Sequence, residues 1–387
     1  VGTPNLGPIS ATAMTVGGHQ LESAYFGQFT ADLGIFGLRG VHFTAGYRRT
    51  ETESVAITLP ATVSYPSGLV VPGTVQSRSE TSGSGPGFTF SLDWRPNDDL
   101  LFYVTRRRGY KPGGLNVIPG ASAVPGFVPV YQSESVDDTE IGVKYDFRWG
   151  DDLRGRINMN VFRDDYSNIQ RGVNAITPAG QNIAFTANVA AATIQGFEAE
   201  GYLVLGRRWT ITGSYSYIQS DYTRWLGSDP LGAAPAGTNI DLSNNPFANA
   251  PENKFSLTVQ YELPIDERYG VVRASATVFG QDRSWFTDNA QRYIEVYGND
   301  PNIYLGQGQS LTDTLSDPGF VAGNVRLDWD HVMGWQNLDA ALYIRNITDE
   351  TYAYAGAVSY QSLGLAQRIY SQPRMFGVQL TYRFGER

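Results

Sequence analysis

Apolar and polar residues take turns along most of this chain. In MFGVQLTYRF, residues 375–384, Phe376, Val378, Leu380, Tyr382 and Phe384 share one side of an extended strand, and Gly377, Gln379, Thr381 and Arg383 share the other. The same period of two runs through Phe255, Leu257, Val259, Tyr261 and Leu263, through Ile141, Val143, Tyr145, Phe147 and Trp149, and through Phe88, Phe90, Leu92 and Trp94. It recurs at Val41 to Tyr47, at Trp209 to Tyr217 and at Val325 to Trp329. No long stretch keeps a 3.6 period, so helix is expected to be scarce. The pattern predicts thirteen strands, centred near residues 28, 44, 90, 103, 144, 159, 199, 213, 258, 276, 326, 341 and 379.

What separates these strands alternates too. Short turns rich in Gly, Asp, Asn and Pro follow the first, third, fifth, seventh, ninth and eleventh: GIFGLRG, PNDD, GDDLRG, LGRR, PIDERYG and HVMGW. Long polar segments follow the others, at 53–84, 110–133, 168–190, 222–252, 286–320 and 348–374. In an up-and-down sheet this sorting gathers every short turn at one end and every long segment at the other, the asymmetry of an outer-membrane barrel, with long loops outside the cell and short turns in the periplasm. A soluble sandwich needs Greek-key crossovers and has no reason to sort its connections.

The tryptophans mark the same two ends. Trp94, Trp149, Trp209, Trp329 and Trp335 sit beside short turns, and Trp225 and Trp285 beside long segments, as in two interfacial aromatic girdles. Alternation alone leaves a core or a bilayer against the apolar face. The loop sorting and the girdles together predict lipid: an all-β, transmembrane, antiparallel up-and-down barrel wall.

Composition agrees. The 387 residues include 43 Gly and 23 Tyr, aromatics are 13%, and charged residues only 17% against a typical value of about 25%. No cysteine occurs, which excludes disulfides and thiolate metal sites, and a net charge of −9 argues against a nucleic-acid partner. No run of about 18 apolar residues is present, so no membrane-spanning helix is expected. The first residues, VGTPNLGPIS, have neither a basic start nor an apolar core, so no signal peptide is read there, and the chain reads as mature or as part of something longer.

Several segments carry a resemblance. RRGYKPGGLN (107–116), TEIGVKYDF (139–147), INMNVFRDDYSNIQ (157–170), IQGFEAEG (194–201), APENKFSLTVQYEL (250–263), LYIRNITDETY (342–352) and PRMFGVQLTYRF (373–384) resemble, in order, the barrel of TonB-dependent outer-membrane receptors. That resemblance implies a barrel of about 22 strands, filled by an N-terminal plug that carries a box for the energy-transducing partner TonB. It also implies uptake of a scarce bulky solute such as a ferric siderophore, cobalamin or a glycan, with the siderophore leading. On this reading the chain is a barrel portion of about thirteen strands, without plug, TonB box or about nine strands. Its partners would be outer-membrane lipid and lipopolysaccharide, the barrel assembly machinery, a small-molecule or metal-chelate ligand, and TonB through the missing N-terminal region. Phe384 would be the terminal aromatic that the assembly machinery reads, although Gly385, Glu386 and Arg387 follow it.

Candidate chemistry is sparse. Arg106, Arg107, Arg108, Tyr110 and Lys111 form the densest basic cluster and climb into a long segment, where they would make an electropositive rim for an anionic ligand or pair with nearby carboxylates and outer-leaflet phosphates. Tyr222, Trp225, Trp285, Phe286, Tyr352, Tyr354 and Tyr360 would line an aromatic vestibule, or simply pack within the loops or the girdle. Glu198 with Glu200, and Asp164 with Asp165, read as lumen ion pairs before they read as the acid and base of a glycosidase. His19, His42 and His331 are too scattered for a metal site or triad, and SGSGPG at 82–87 lacks the Lys and helix of a phosphate loop. The sequon at Asn346 is accidental. No cofactor, metal or enzymatic role is expected.

Two function classes follow: a transport receptor, or a self-sufficient pore in which thirteen strands close on themselves. Closure separates them. With an odd number of antiparallel strands, the first, near Tyr25 to Leu33, runs in the same direction as the last, so a closed barrel needs a parallel seam or a fourteenth strand from residues 1–18. Otherwise both edges stay free.

Overall fold

The computed structural model describes residues 9–65, 69–72, 77–118, 124, 126–176, 182–235, 238–298, 310–359 and 365–384. Its strands are β1 (Ile9–Asp32), β2 (Val41–Tyr65), β3 (Leu69–Pro72), β4 (Ser77–Asn97), β5 (Leu100–Lys111), β6 (Gly114–Leu115) and β7 (Val130–Tyr131). There follow β8 (Glu134–Trp149), β9 (Leu153–Ile176), β10 (Asn182–Leu205), β11 (Trp209–Ser228), β12 (Asn239–Asp241) and β13 (Asn253–Glu262). The chain ends with β14 (Val271–Trp285), β15 (Ser316–Asp330), β16 (Leu338–Arg345), β17 (Ala353–Ser359), β18 (Leu365–Tyr370) and β19 (Met375–Tyr382). Two short helices, α1 (Ala290–Tyr297) and α2 (Leu311–Leu315), lie between β14 and β15.

One antiparallel sheet dominates, in the order β1-β2-β4-β5-β8-β9-β10-β11-β13-β14-β15-β16-β19. These thirteen strands are the thirteen that the alternation predicts, each containing its expected centre. Strands β3 and β12 pair antiparallel with the outer ends of β2 and β11, while β6–β7 and β17–β18 form separate hairpins within the long segments. The sheet is open. Among the described residues β1 pairs only with β2 and β19 only with β16, and residues 9–18 run along β2 as the start of β1 rather than as a fourteenth strand. The first strand is therefore much longer than the expected Tyr25 to Leu33, and Leu33 opens a 3-10 turn.

The strand faces follow from residue type. Phe376, Val378 and Leu380 on β19 are 73%, 69% and 71% exposed. Neighbouring strands put Leu342, Ile141, Val161 and Phe90 on the same continuous surface, far more apolar exposure than a water-soluble protein presents. The short turns are closed by local chemistry. Asp32 accepts from the Gly34 N–H at 2.8 Å and Asp266 from the Arg268 N–H at 3.0 Å, both Asx-type turns. Gly40, at φ 73°, and Gly270, at φ 92°, occupy left-handed turns where an added Cβ would meet a carbonyl oxygen at 2.1 and 2.2 Å.

The long segments differ from expectation. Segments 53–84 and 168–190 are largely strand rather than loop: β2 and β4 stay paired out to Thr58 and Ser77, and β9 and β10 out to Ile176 and Asn182. Crossing a bilayer takes about 9–11 strand residues, whereas β2 has 25 and β9 and β10 have 24 each. Beyond the apolar band neither face must be apolar, so TETES at 50–54 does not alternate although its ladder continues.

Candidate functional site

Three neighbourhoods hold the chemistry. The first is the polar face of the wall, where Tyr103, Glu140, Lys144, Asn160, Glu198 and Lys254 help line a recess of about 450 Å³. Cross-strand register builds it, since Tyr103 opposes Gly142, and Asn158 and Asn160 oppose Glu200 and Glu198. Asn158 donates to Glu200 at 2.9 Å and Asn160 to Glu198 at 3.2 Å, and the Tyr103 hydroxyl donates to Glu140. Glu198 and Glu200 thus take amides as partners rather than the cations expected of lumen ion pairs, and the buried Asn158 and Asn160 carbonyl oxygens accept no hydrogen bond.

The second is the basic stretch 106–111. It is not one cluster, because successive strand residues face opposite ways. Arg107 turns to the polar face and pairs with Asp138 and Glu140, each at 2.5 Å. Arg106 and Arg108 point the other way, above Val104 and Phe102 on the apolar side; Arg106 donates to the Thr139 hydroxyl, and Arg108 grips Asp137 at 2.7 and 2.5 Å. Lys111 lies 3.9 Å from Glu134, and Tyr110 lies across Gly85 with its hydroxyl buried and unpaired. The expected rim is thereby divided, with Arg107 alone of the three arginines on the lumen side.

The third is the packed region above the wall. Tyr222 stacks on Phe247 at 4.2 Å and meets Trp225 at 4.6 Å, and Trp225 is only 5% exposed. Its burial removes Trp225 from any girdle, and Tyr222 is likewise inside the packing rather than on an open vestibule. Arg171 lies over the Tyr222 and Phe247 rings, donates to the Tyr222 hydroxyl and pairs with Asp288 at 2.9 Å. Trp285 flanks the cluster of Leu231, Ala290, Tyr293, Leu311 and Leu315, with Arg283 over its ring. Phe286 is buried beneath Arg368, Tyr352 stacks on Phe320 at 3.6 Å, and Tyr354 is exposed. Tyr360 lies outside the described residues.

A buried ion pair ties this region together. The Asp229 carboxylate, 3% exposed, accepts from Arg292 at 2.6 and 3.1 Å and from the Leu231 and Ala234 N–H groups at 3.0 and 2.8 Å. Burial works against the charged carboxylate, yet Arg292 and the two N–H donors outweigh it and hold its pKa below the usual carboxylate range. Sequence reasoning missed Arg171, Asp229, Asp288 and Arg292. Only SDPLG at 228–232 carried a signal, that of an Asx turn.

At the short-turn end, Trp94, Trp149, Trp209 and Trp335 are exposed, and half-buried Trp329 donates to the Tyr269 carbonyl at 2.7 Å. Phe384 stands just past β19, 90% exposed, edge-on to Tyr382. Among the described residues no group of three or more His, Asp or Glu converges as a metal site.

An open-ended wall of sequential antiparallel strands, apolar outside and polar inside, defines the class: an outer-membrane β-barrel protein. Residues 3–384 match the family model described as TonB dependent receptor-like, beta-barrel, and the chain belongs to that family. Among solved structures it is similar to the ferric yersiniabactin uptake receptor FyuA from Yersinia pestis, at 17% identity and TM-score 0.65, covering 97% of this chain and 47% of that one. It also resembles the ferric-catecholate import receptor Fiu from Escherichia coli K12 in its closed form, at 14% identity and TM-score 0.61, covering 95% and 45%. A third is the siderophore receptor PiuA from Acinetobacter baumannii, at 16% identity and TM-score 0.54, covering 88% and 42%. The chain therefore spans less than half the length of each of these three structures. Its place is the bacterial outer membrane.

Proposed function

We propose that this chain forms wall and outer rim of a receptor for TonB-energised uptake of a scarce solute, a ferric siderophore. The match to the receptor barrel family over residues 3–384 carries the reading. Solved relatives described as siderophore and ferric-chelate receptors support the solute class. The sheet edges, unpaired among the described residues, and similar structures about twice as long support its being a portion of a larger barrel that also holds a plug. In that setting the long segments face the cell exterior and TonB engages a region outside this chain. Lipid and lipopolysaccharide surround the wall, and the assembly machinery reads Phe384. Arg107 and exposed Tyr354 are the proposed ligand-facing members of the basic and aromatic sets.

The test is uptake of iron-55 siderophore by iron-starved cells that lack their own siderophore receptors and produce the full-length protein. Uptake that disappears when TonB is deleted is the expected result. Uptake indifferent to TonB, with steady conductance in planar bilayers, would replace the receptor by a passive pore.

A further inference from the structure

We infer that the outward face of β5, β8 and β9 carries a binding site for a phosphate group of the outer-leaflet glycolipid, formed by Arg106 and Arg163 on either side of Thr139. This rests on the outer-membrane reading and adds the residues and the headgroup chemistry.

Register makes the case. One row across five strands, Val104, Ile141, Val161, Phe197 and Tyr217, is the last apolar row on the lipid side before the long-segment end. The next row outward is Arg106, Thr139, Arg163, Gln195 and Gln219: cations, a hydroxyl and amides, and no acid. The row beyond that is Arg108, Asp137, Asp165, Thr193 and Asp221, which holds all the carboxylates. A lipid phosphate sits at the boundary between acyl chains and water, the height of the acid-free row. The carboxylates stand one step farther out, where Asp137 and Asp165 pair with the two arginines from the water side and a phosphate has to displace them.

The spacing within that row suits one phosphate. Arg106 and Arg163 are on strands separated by one intervening strand, so their backbones lie about 9–10 Å apart; Arg106 leans over Thr139 between them, and Arg163, turned toward Asp165 and β10, swings back over Thr139 to complete the site. Arg106 donates to the Thr139 hydroxyl and lies 3.9 Å from Asp137, and Arg163 reaches Gln195 at 3.3 Å, Thr193 at 3.4 Å and Asp165 at 3.0 Å. Their side chains keep 45% and 55% of their surface open. Exposed ion pairs of this kind are individually weak and yield to a better partner. Guanidinium forks match phosphate oxygens bidentately, which two lysines would not do. Arg107, next to Arg106 on β5, faces the lumen and takes no part.

The experiment uses full-length protein extracted from outer membranes in neutral detergent, titrated with lipid A and followed by native mass spectrometry. Three probes are compared: bisphosphorylated lipid A, phosphatase-treated lipid A and inorganic phosphate. Unmodified protein should prefer the phosphorylated lipid, and Arg106→Gln with Arg163→Gln should weaken its binding about tenfold. Arg268→Gln, in a short turn at the opposite end, should leave it unchanged. Equal binding of both lipid A forms by unmodified protein overturns the inference, and this arm requires no variant to fold. Equal lipid binding by an inserted double variant overturns it too, as does displacement of lipid A by millimolar inorganic phosphate, which would make the site a free-phosphate site. Protein that never reaches the outer membrane would instead contradict the receptor reading on which this rests.

Discussion

The wall and the packed region above it treat the same residue types in opposite ways. On the wall Phe376, Val378 and Leu380 stand exposed while polar side chains gather on the inner face. Above it Tyr222, Trp225, Leu242 and Ile169 are buried together, Leu231, Ala290, Leu311 and Leu315 form a second cluster, and Asp229 is drawn inside with Arg292. One chain follows two solvation rules because it meets two solvents. Against hydrocarbon, apolar side chains face out and the backbone of every strand between β1 and β19 is satisfied by its neighbours. Against water, apolar side chains turn inward and ordinary cores form.

The comparison predicts effects that depend on which region is struck, and the largest falls on the wall. Val259→Arg puts a charge on the lipid face of β13 and should cost roughly 2–4 kcal/mol. Thr258→Arg, one residue away on the polar face beside Thr277, should cost far less. Refolding of both variants into lipid vesicles under urea measures the difference, and equal costs would erase the distinction between faces.

The next effect belongs to the upper region. Arg292→Ala leaves the buried Asp229 carboxylate with its backbone donors alone and should loosen that region by about 1.5–3 kcal/mol, as expected for a hydrogen bond to a charged group. Protease added to intact cells should then cut within 222–252 faster, while the wall's urea midpoint stays put. Acid should act similarly. The folded pKa of Asp229 is depressed, so its contribution is fully present above the unfolded carboxylate value of about 3.9 and is lost as pH falls through the lower folded value. Pepsin cleavage within 222–252 should therefore be slow at about pH 4 and faster near pH 2, with Arg292→Ala flattening the difference.

The smallest effect lies at the junction of the two regions. Arg163→Gln removes a half-exposed ion pair with Asp165 and should change stability by about 0.5 kcal/mol or less, even though it weakens lipid A binding. A large loss of stability would make Arg163 a structural residue first.

Legibility in the sequence followed the same division. Where lipid demands one apolar face, the period of two exposed each strand, and all thirteen wall strands were readable. Past Tyr47 on β2 that demand ends; Arg49, Glu51 and Glu53 face the same way as Tyr47, so strand continued where only polar loop was visible. The helices α1 and α2 and the small hairpins were hidden because each is shorter than the window in which a period can be recognised. Alternation did contain the division of Arg106 and Arg108 from Arg107, since odd and even residues of one strand oppose each other. The pairing of Arg106 with Thr139, and of that with Arg163, was not contained there, because register between strands is set by the whole sheet. Likewise Asp229 and Arg292 meet only after two long segments fold against one another.

Alternate residues of each wall strand face lipid and water. These 387 residues contain no cysteine, and with any cysteine outside them replaced by serine a single introduced thiol carries the only spin label. Labels at Leu257→Cys, Thr258→Cys, Val259→Cys and Gln260→Cys, in full-length protein reconstituted into vesicles, report collision with oxygen dissolved in lipid and with a water-soluble nickel chelate. Oxygen accessibility should be high and nickel accessibility low at 257 and 259, with the reverse at 258 and 260; the same accessibility at all four positions would mean that the two faces do not meet different solvents.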